Sequence, residues 1–457
     1  MRRLPARLAG FLETVVRHWK PAVVVVALLL VLSVDSPPPG SMEAQVDREL
    51  TGQQFDFLSW EMGALWRKLS HGLLSPQRWM TEEARGAFVL DYLALVAQAQ
   101  RLDGEIRQAY VAYVAAGVPD PDGAEGDPVS DPDLGTVELQ AQRETVRDAI
   151  RARQPLAEAI LEEQVAQVLA DEGFDLLGQT MPPVKMHFTP LPQLLIISPR
   201  DRIERAYQLN LVHGLSTAER EAIEAQIDES FDVSSLVTGI GGLSAYPSML
   251  LESSSINWVT EVTAHEWTHH YLMPRPLGWH YLSSGETRTI NETVASIMGK
   301  EVGRRVVARY YPEYLPVEPE PAPEGAPERE EDPEPDEPLA FDFRREMRET
   351  RVRVDELLAE GRIEEAEGYM EERRRLFVQE GYAIRKLNQA YFAFHGAYAD
   401  QPGAAGEDPI GPTVREAFAR SPDLRTFVSK LAGVTTLEEL EDVLETLPAS
   451  PLMAEAS

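Results

Sequence analysis

The sequence predicts a predominantly helical α+β chain in which a central lobe, with a small mixed sheet and two long helices, is flanked by all-helical lobes. Three observations lead there. Apolar residues recur at helical spacing from 42 to 178 and again beyond 340. Short apolar runs bounded by proline and glycine fill the stretch from 179 to 251. A run of acids and prolines, 317–339, parts the last helical region from the rest. The expected division is therefore 1–41, 42–178, 179–316, 317–339 and 340–457.

With 457 residues and 43% hydrophobic content, the chain can bury two or three packed lobes. Its formal charge of -32 argues against a nucleic-acid partner, because a polyanion is repelled and no basic stripe with interleaved aromatics occurs. Cysteine is absent, which excludes disulfides, thiol catalysis and thiolate metal sites, so any transition metal must be held by nitrogen and oxygen.

The first segment, 1–41, bears on location. Arg2, Arg3, Arg7, Arg17 and Lys20 precede an apolar run from Ala22 to Leu32, and prolines occupy 37–39. A basic stretch before an apolar one is the pattern of an export signal, and the positive-inside bias puts the remainder of the chain outside the cytoplasm. The run is shorter than the roughly 20 residues of a full span, but no small-x-small cleavage site comes after it. The expectation is a single-pass signal anchor at the cell membrane, with secretion after cleavage as the alternative.

From Thr81 the chain reads as a helix with acids in its first turn, ending at Gly117. Two further helices are expected, Val137–Arg153 and Leu156–Glu172, parted by Pro155. Strand-like texture begins at PPVKMHFTPLPQLLIISP, is interrupted by a helix capped by Ser216, and returns in SSLVTGIGGLSAYPSMLLESS. Two helices come next, one around VTAHEWTHHYL and one from Gly285 to Tyr311. The acidic, proline-rich 317–339 cannot bury a core. Beyond it lie a helical hairpin turning at Gly361 and a third helix over YAIRKLNQAYFAFHGAYA, with no repeat at a fixed period.

The stretch VTAHEWTHHYL holds three of the nine histidines. Residues four apart on a helix lie one turn apart and about 40° round, so His265 and His269 can grip one ion. His270, five from His265, points about 140° away and cannot share it. Glu266 sits where its carboxylate can reach a water beside that ion, which is what metal-assisted hydrolysis needs. Catalytic zinc usually keeps three protein ligands and one open position. Among the nearby candidates Glu286, His280 and Glu292, the last is preferred. It lies mid-helix among Ile290, Val294 and Ile297, where an unpaired carboxylate is costly. The plainer reading of this stretch is an exposed helix with satisfied histidines, and of Glu292 a surface acid or a partner for Arg288.

The motifs VTAHEWTH and NETVAS together resemble the gluzincin metallopeptidases, the thermolysin-like and aminopeptidase group, whose signature is HExxH plus a later glutamate in an NE-containing helix. The likeness covers roughly 243–303. It implies a zincin-like lobe, one zinc ion on His265, His269 and Glu292, Glu266 as general base and proton shuttle, and Tyr281 as a donor to the oxyanion. The sequence departs from the group in carrying Ser296 where an acid follows the third ligand, and in a slightly longer gap between His269 and Glu292.

Other residues are read more plainly. Trp267 is expected in the core, and His187 and His213 are left unassigned. Asn388, Tyr391 and His395 share a helix face, either lining a cleft opposite the zinc or forming a buried polar spine. The functional expectation is a zinc metallohydrolase, a peptidase acting on peptide or protein substrates outside the cytoplasm, with an extended substrate adding to the strand near Ser244–Leu251. Two alternatives stand beside it: a non-catalytic membrane-tethered helical scaffold with a structural or vestigial zinc, and a hydrolase of non-peptide amides.

Overall fold

The computed structural model describes residues 38, 40–72, 75–115, 136–176, 178–316, 341–396 and 409–448. The expected N-terminal anchor and the acidic segment 317–339 lie outside these. Among the described residues no helix is long and apolar enough to cross a membrane.

Helices predominate, with three small sheets among them. Helices α1 (Met42–Glu49) and α2 (Phe57–Gly72) open the chain. Helix α3 (Glu82–Ala115) starts where Thr81 Oγ1 accepts from Ala84 N, as the sequence predicts. The two helices expected on either side of Pro155 are one, α4 (Val137–Leu169). A mid-helix proline costs ~3 kcal/mol. Here Val146 and Ile150 before it, and Ala157, Ile160 and Leu161 after it, are buried in one core with Val89, Tyr92 and Val96 of α3, and that burial keeps the two halves in line.

Strands β1 (Asp175–Leu176) and β2 (Gln179–Thr180) form a small hairpin. The larger antiparallel sheet has the order β5 (Tyr207–Leu211), β4 (Gln193–Pro199), β6 (Val233–Thr238). Its central strand is apolar on both faces because both are covered. Leu195 and Ile197 pack with Ile223 and Ile227 of α5 (Thr217–Phe231), whose capping box on Ser216 is in place. Leu194 and Ile196 pack with Ala390 and Phe394 of the later helix 389–395.

The third sheet runs β3 (Met186–Phe188), β8 (Ser248–Leu250), β7 (Gly242–Leu243). β8 pairs parallel with β3 and antiparallel with β7, so the stretch expected to offer a free edge is the middle strand. The edge beside the next helix belongs to Gly242 and Leu243.

That helix is α6 (Ile256–Leu272), capped by Ser255. A single turn, α7 (Pro276–Trp279), leads to α8 (Gly285–Tyr310), capped by Ser284. Two small residues let α8 lie close against α6: a Cβ at Gly299 would meet Glu261 O at 2.9 Å and His265 Cβ at 3.1 Å, and one at Gly303 would meet Glu261 N at 2.8 Å. Beyond the acidic segment, α9 (Phe343–Ala359) and α10 (Ile363–Gln379) turn at Gly361, whose φ is +73°. The third helix expected here is shorter, α11 (Gln389–His395). Arg385 and Lys386 are drawn out to Glu224 and Asp228 of α5, and Asn388 caps the remaining turns.

Helices α12 (Ile410–Arg420), α13 (Leu424–Leu431) and α14 (Leu437–Thr446) do not form a core of their own. Val414, Phe427, Leu431 and Leu440 share one with Val165 of α4, Trp267 of α6, and Val294 and Met298 of α8.

Candidate metal centre

His265 and His269 project from one side of α6 toward Glu292 on α8. His265 Nε2 and His269 Nε2 are 3.1 Å apart, and Glu292 Oε2 lies 3.5 Å from the first and 3.7 Å from the second. Ligands bound tetrahedrally at 2.0–2.1 Å are separated by about 3.3 Å. The three donor atoms thus already form a triangle of the size that one ion spans, and the group can hold a metal ion.

The surroundings fit that use. Glu292 is only 4% exposed, and its Oε2 accepts no hydrogen bond although it is buried; such an atom is costly unless something charged completes it. Its other oxygen accepts from the Tyr281 hydroxyl at 2.5 Å. His269 Nδ1 lies 2.7 Å from Asn291 Oδ1, and Asn291 Nδ2 donates to Leu277 O at 3.1 Å. The amide is thereby fixed with its oxygen toward the ring, so that Nδ1–H donates and Nε2 keeps a lone pair.

The protonation states agree with this. Burial holds the His269 imidazole down at about 4. Burial alone raises a carboxyl, but the two imidazoles and Tyr281 outweigh it and hold Glu292 at about 2. A neutral imidazole and an ionised carboxylate are the forms that bind a cation.

Glu266 follows His265 and is 5% exposed. Its Oε2 accepts from Ser244 Oγ at 2.5 Å, and burial pushes its carboxyl up. Gly242 on the edge strand makes room for it, since a Cβ there would stand 2.2 Å from Glu266 Oε1 and 2.9 Å from Val262 Cγ1. His270, excluded as a ligand by the helical angle, lies outside the group, with its ring 5.5 Å from that of Tyr246.

The other expected residues fall elsewhere. Tyr281 is at the site, but its hydroxyl is engaged by Glu292. Glu286 accepts from Leu437 N and ties α8 to α14, while exposed His280 has its ring Nδ1 3.2 Å from Ser283 Oγ. Trp267 is core, donating to Pro182 O. His187 belongs to a separate cluster with Glu158, Arg67 and Gln154, and His213 is exposed. Asn388 is committed to capping α11 and to Ser235 O. The rings of Tyr391 and His395 lie 4.2 Å apart, tilted at 42°, and burial holds His395 at about 4. Ser296 is buried, and the outer support of His269 comes from Asn291. Sequence reasoning missed Asn291 in that role, although the NE pair in NETVAS held the signal.

Comparison of the chain with protein families, with curated proteins and with solved structures finds no match.

Proposed function

We propose that the chain is a zinc metallohydrolase of the gluzincin kind, built on a zincin-like lobe and cleaving peptide bonds outside the cytoplasm, where its N-terminal segment anchors it. The observation that carries this reading is the triangle formed by His265 Nε2, His269 Nε2 and the buried, unpartnered Oε2 of Glu292, with Glu266 next to His265 in the chain. Two imidazoles and one carboxylate, with no thiolate in the chain, are a donor set suited to catalytic zinc. When bound there, zinc supplies Lewis-acid chemistry, making water acidic near neutrality and polarising a carbonyl.

The chain's own residues do the rest. Asn291 and Tyr281 orient His269 and Glu292. Glu266 takes one proton from the attacking water as the water oxygen bonds to the carbonyl carbon, and delivers it to the amine nitrogen as the C–N bond breaks. Ser244 holds the Glu266 carboxylate in position. An extended substrate adds along the free edge at Gly242 and Leu243, next to Glu266.

The test is a peptidase assay on zinc-loaded wild type and Glu266→Gln. The expected result is unchanged zinc content and a fall in kcat of about 10²- to 10⁴-fold. Equal activity in the two, or none in either loaded form, favours the membrane-tethered scaffold. Turnover confined to non-peptide amides assigns the site to that class instead.

A further inference from the structure

We infer that Arg205 and Arg288 form a subsite beside the metal centre that takes a carboxylate of the substrate, from a peptide C-terminus or from an acidic side chain next to the scissile bond. This rests on the metallopeptidase reading and adds to it the chemistry that the enzyme recognises.

Arg288 projects from the second turn of α8 and is 6% exposed, and its Nε is buried without a hydrogen-bond partner. Its Cζ lies 5.8 Å from the ring centre of Tyr281, the residue that holds Glu292. Arg205, just before β5, also has a buried Nε with no partner; its Nη1 donates to Gln208 Oε1 at 2.8 Å, and its Cζ stands 5.7 Å from the Phe394 ring of α11. Both guanidinium groups act electrostatically on Tyr281, and Arg205 acts on Arg288.

Among the described residues these cations have no anion. Among the described residues no carboxylate comes within ion-pair distance, 4.0 Å, of either. The acids that act on Arg288 have other commitments: Glu292 to Tyr281 and the imidazoles, and Glu204 to Arg202 at 2.5 Å. In a chain with 75 acids to 43 bases this is unusual. Other half-buried arginines here are paired: Arg385 with Glu224, Arg147 with Asp103 and Glu252, and Arg200 with Glu367.

The placement is unfavourable for the free protein on three counts. Arg288 is desolvated, lies beside a second cation, and stands near the positive end of α8. Burial and Arg205 hold its guanidinium down at about 10. A carboxylate relieves all three, and a guanidinium fork matches its two oxygens.

The experiment uses the full chain in two arms. In the metal-free protein, N-acetylleucine, N-acetylleucinamide and N-acetylglutamic acid α-amide are titrated by calorimetry. One or both of the acids bind at least tenfold more tightly than the neutral amide. In R288Q and in R205Q that preference falls below twofold, and R288K keeps part of it. In the zinc-loaded protein, one peptide is offered as free acid, as amide, and as amide with glutamate next to the scissile bond. Preference for the free acid assigns the subsite to the chain terminus, and preference for the glutamate peptide assigns it to a side chain. Equal binding of acids and amide by wild type overturns the subsite, even if peptides are cleaved. Selective binding without cleavage leaves the subsite standing and removes the peptidase reading instead. If melting curves show that R288Q does not fold, the half-buried R205Q decides.

Discussion

Gly242 and Glu266 occupy the same space to within a methyl group: a β-carbon on the glycine would stand 2.2 Å from Glu266 Oε1. The edge strand and the buried Glu266 side chain are therefore closely fitted to each other.

Gly242→Ala should displace the Glu266 carboxylate without touching His265, His269 or Glu292. The expected outcome is wild-type zinc content with kcat reduced about 10²-fold, the usual consequence of misplacing a catalytic group by about an ångström. Steady-state kinetics beside metal analysis checks it, and an unimpaired kcat would show that the position of Glu266 does not matter.

Asn291→Ala removes the acceptor that fixes His269. Zinc affinity should fall about 10- to 100-fold, as for other losses of an outer partner to a ligand histidine. Competition against a chelator measures this. Asn291→Asp, which keeps an oxygen facing Nδ1, should recover most of the affinity.

Gly303→Ala drives a methyl group into the α6 backbone at Glu261 and should cost about 1–3 kcal/mol in urea unfolding. Gly368→Ala in α10, where nothing lies within 4 Å of the added carbon, should stabilise by up to about 1 kcal/mol. The opposite signs separate a helix contact from helix propensity, and similar effects at both positions would contradict close packing of α6 on α8.

Acid should weaken the fold through Glu158. Burial favours its neutral form, but Lys68 at 2.6 Å and His187 at 2.9 Å outweigh that and hold it at about 2, against an ordinary 4.5. Because the folded value is the lower one, the stabilisation is complete above about pH 4.5 and is lost as pH falls toward 2. Urea midpoints at pH 5, 4 and 3 should drop more steeply in wild type than in Glu158→Gln, and parallel curves would assign the acid sensitivity elsewhere.

The pair on α6 was legible because a four-residue spacing on a helix carries geometry directly, and Glu292 because an acid among Ile290, Val294 and Ile297 calls for a partner. Local signals of this kind also gave the cap at Ser216 and the turn at Gly361. Relations between distant segments were not legible. Nothing along the chain marks β8 as a middle strand, since pairing partners are chosen in three dimensions. Pro155 reads locally as a break, yet cores on both sides of it override that reading. Arg205 and Arg288 are unremarkable singly, and only folding sets both to act on Tyr281 with no acid of the described residues in ion-pair range. Lys68, Glu158 and Glu162 likewise read as solvated charges until they are seen buried as one network.

The helices at 410–446 fasten the ligand-bearing part of the chain from beneath: Thr287 Oγ1 donates to Thr435 O, Leu277 N to Ala432 O, and Leu437 N to Glu286. Their apolar side chains close the floor under α8. A nascent polypeptide therefore lacks that floor until these three helices have left the ribosome. His265, His269 and Glu292 are made more than a hundred residues earlier than the support beneath them, so the packing that steadies this triad waits on the synthesis of α12 to α14.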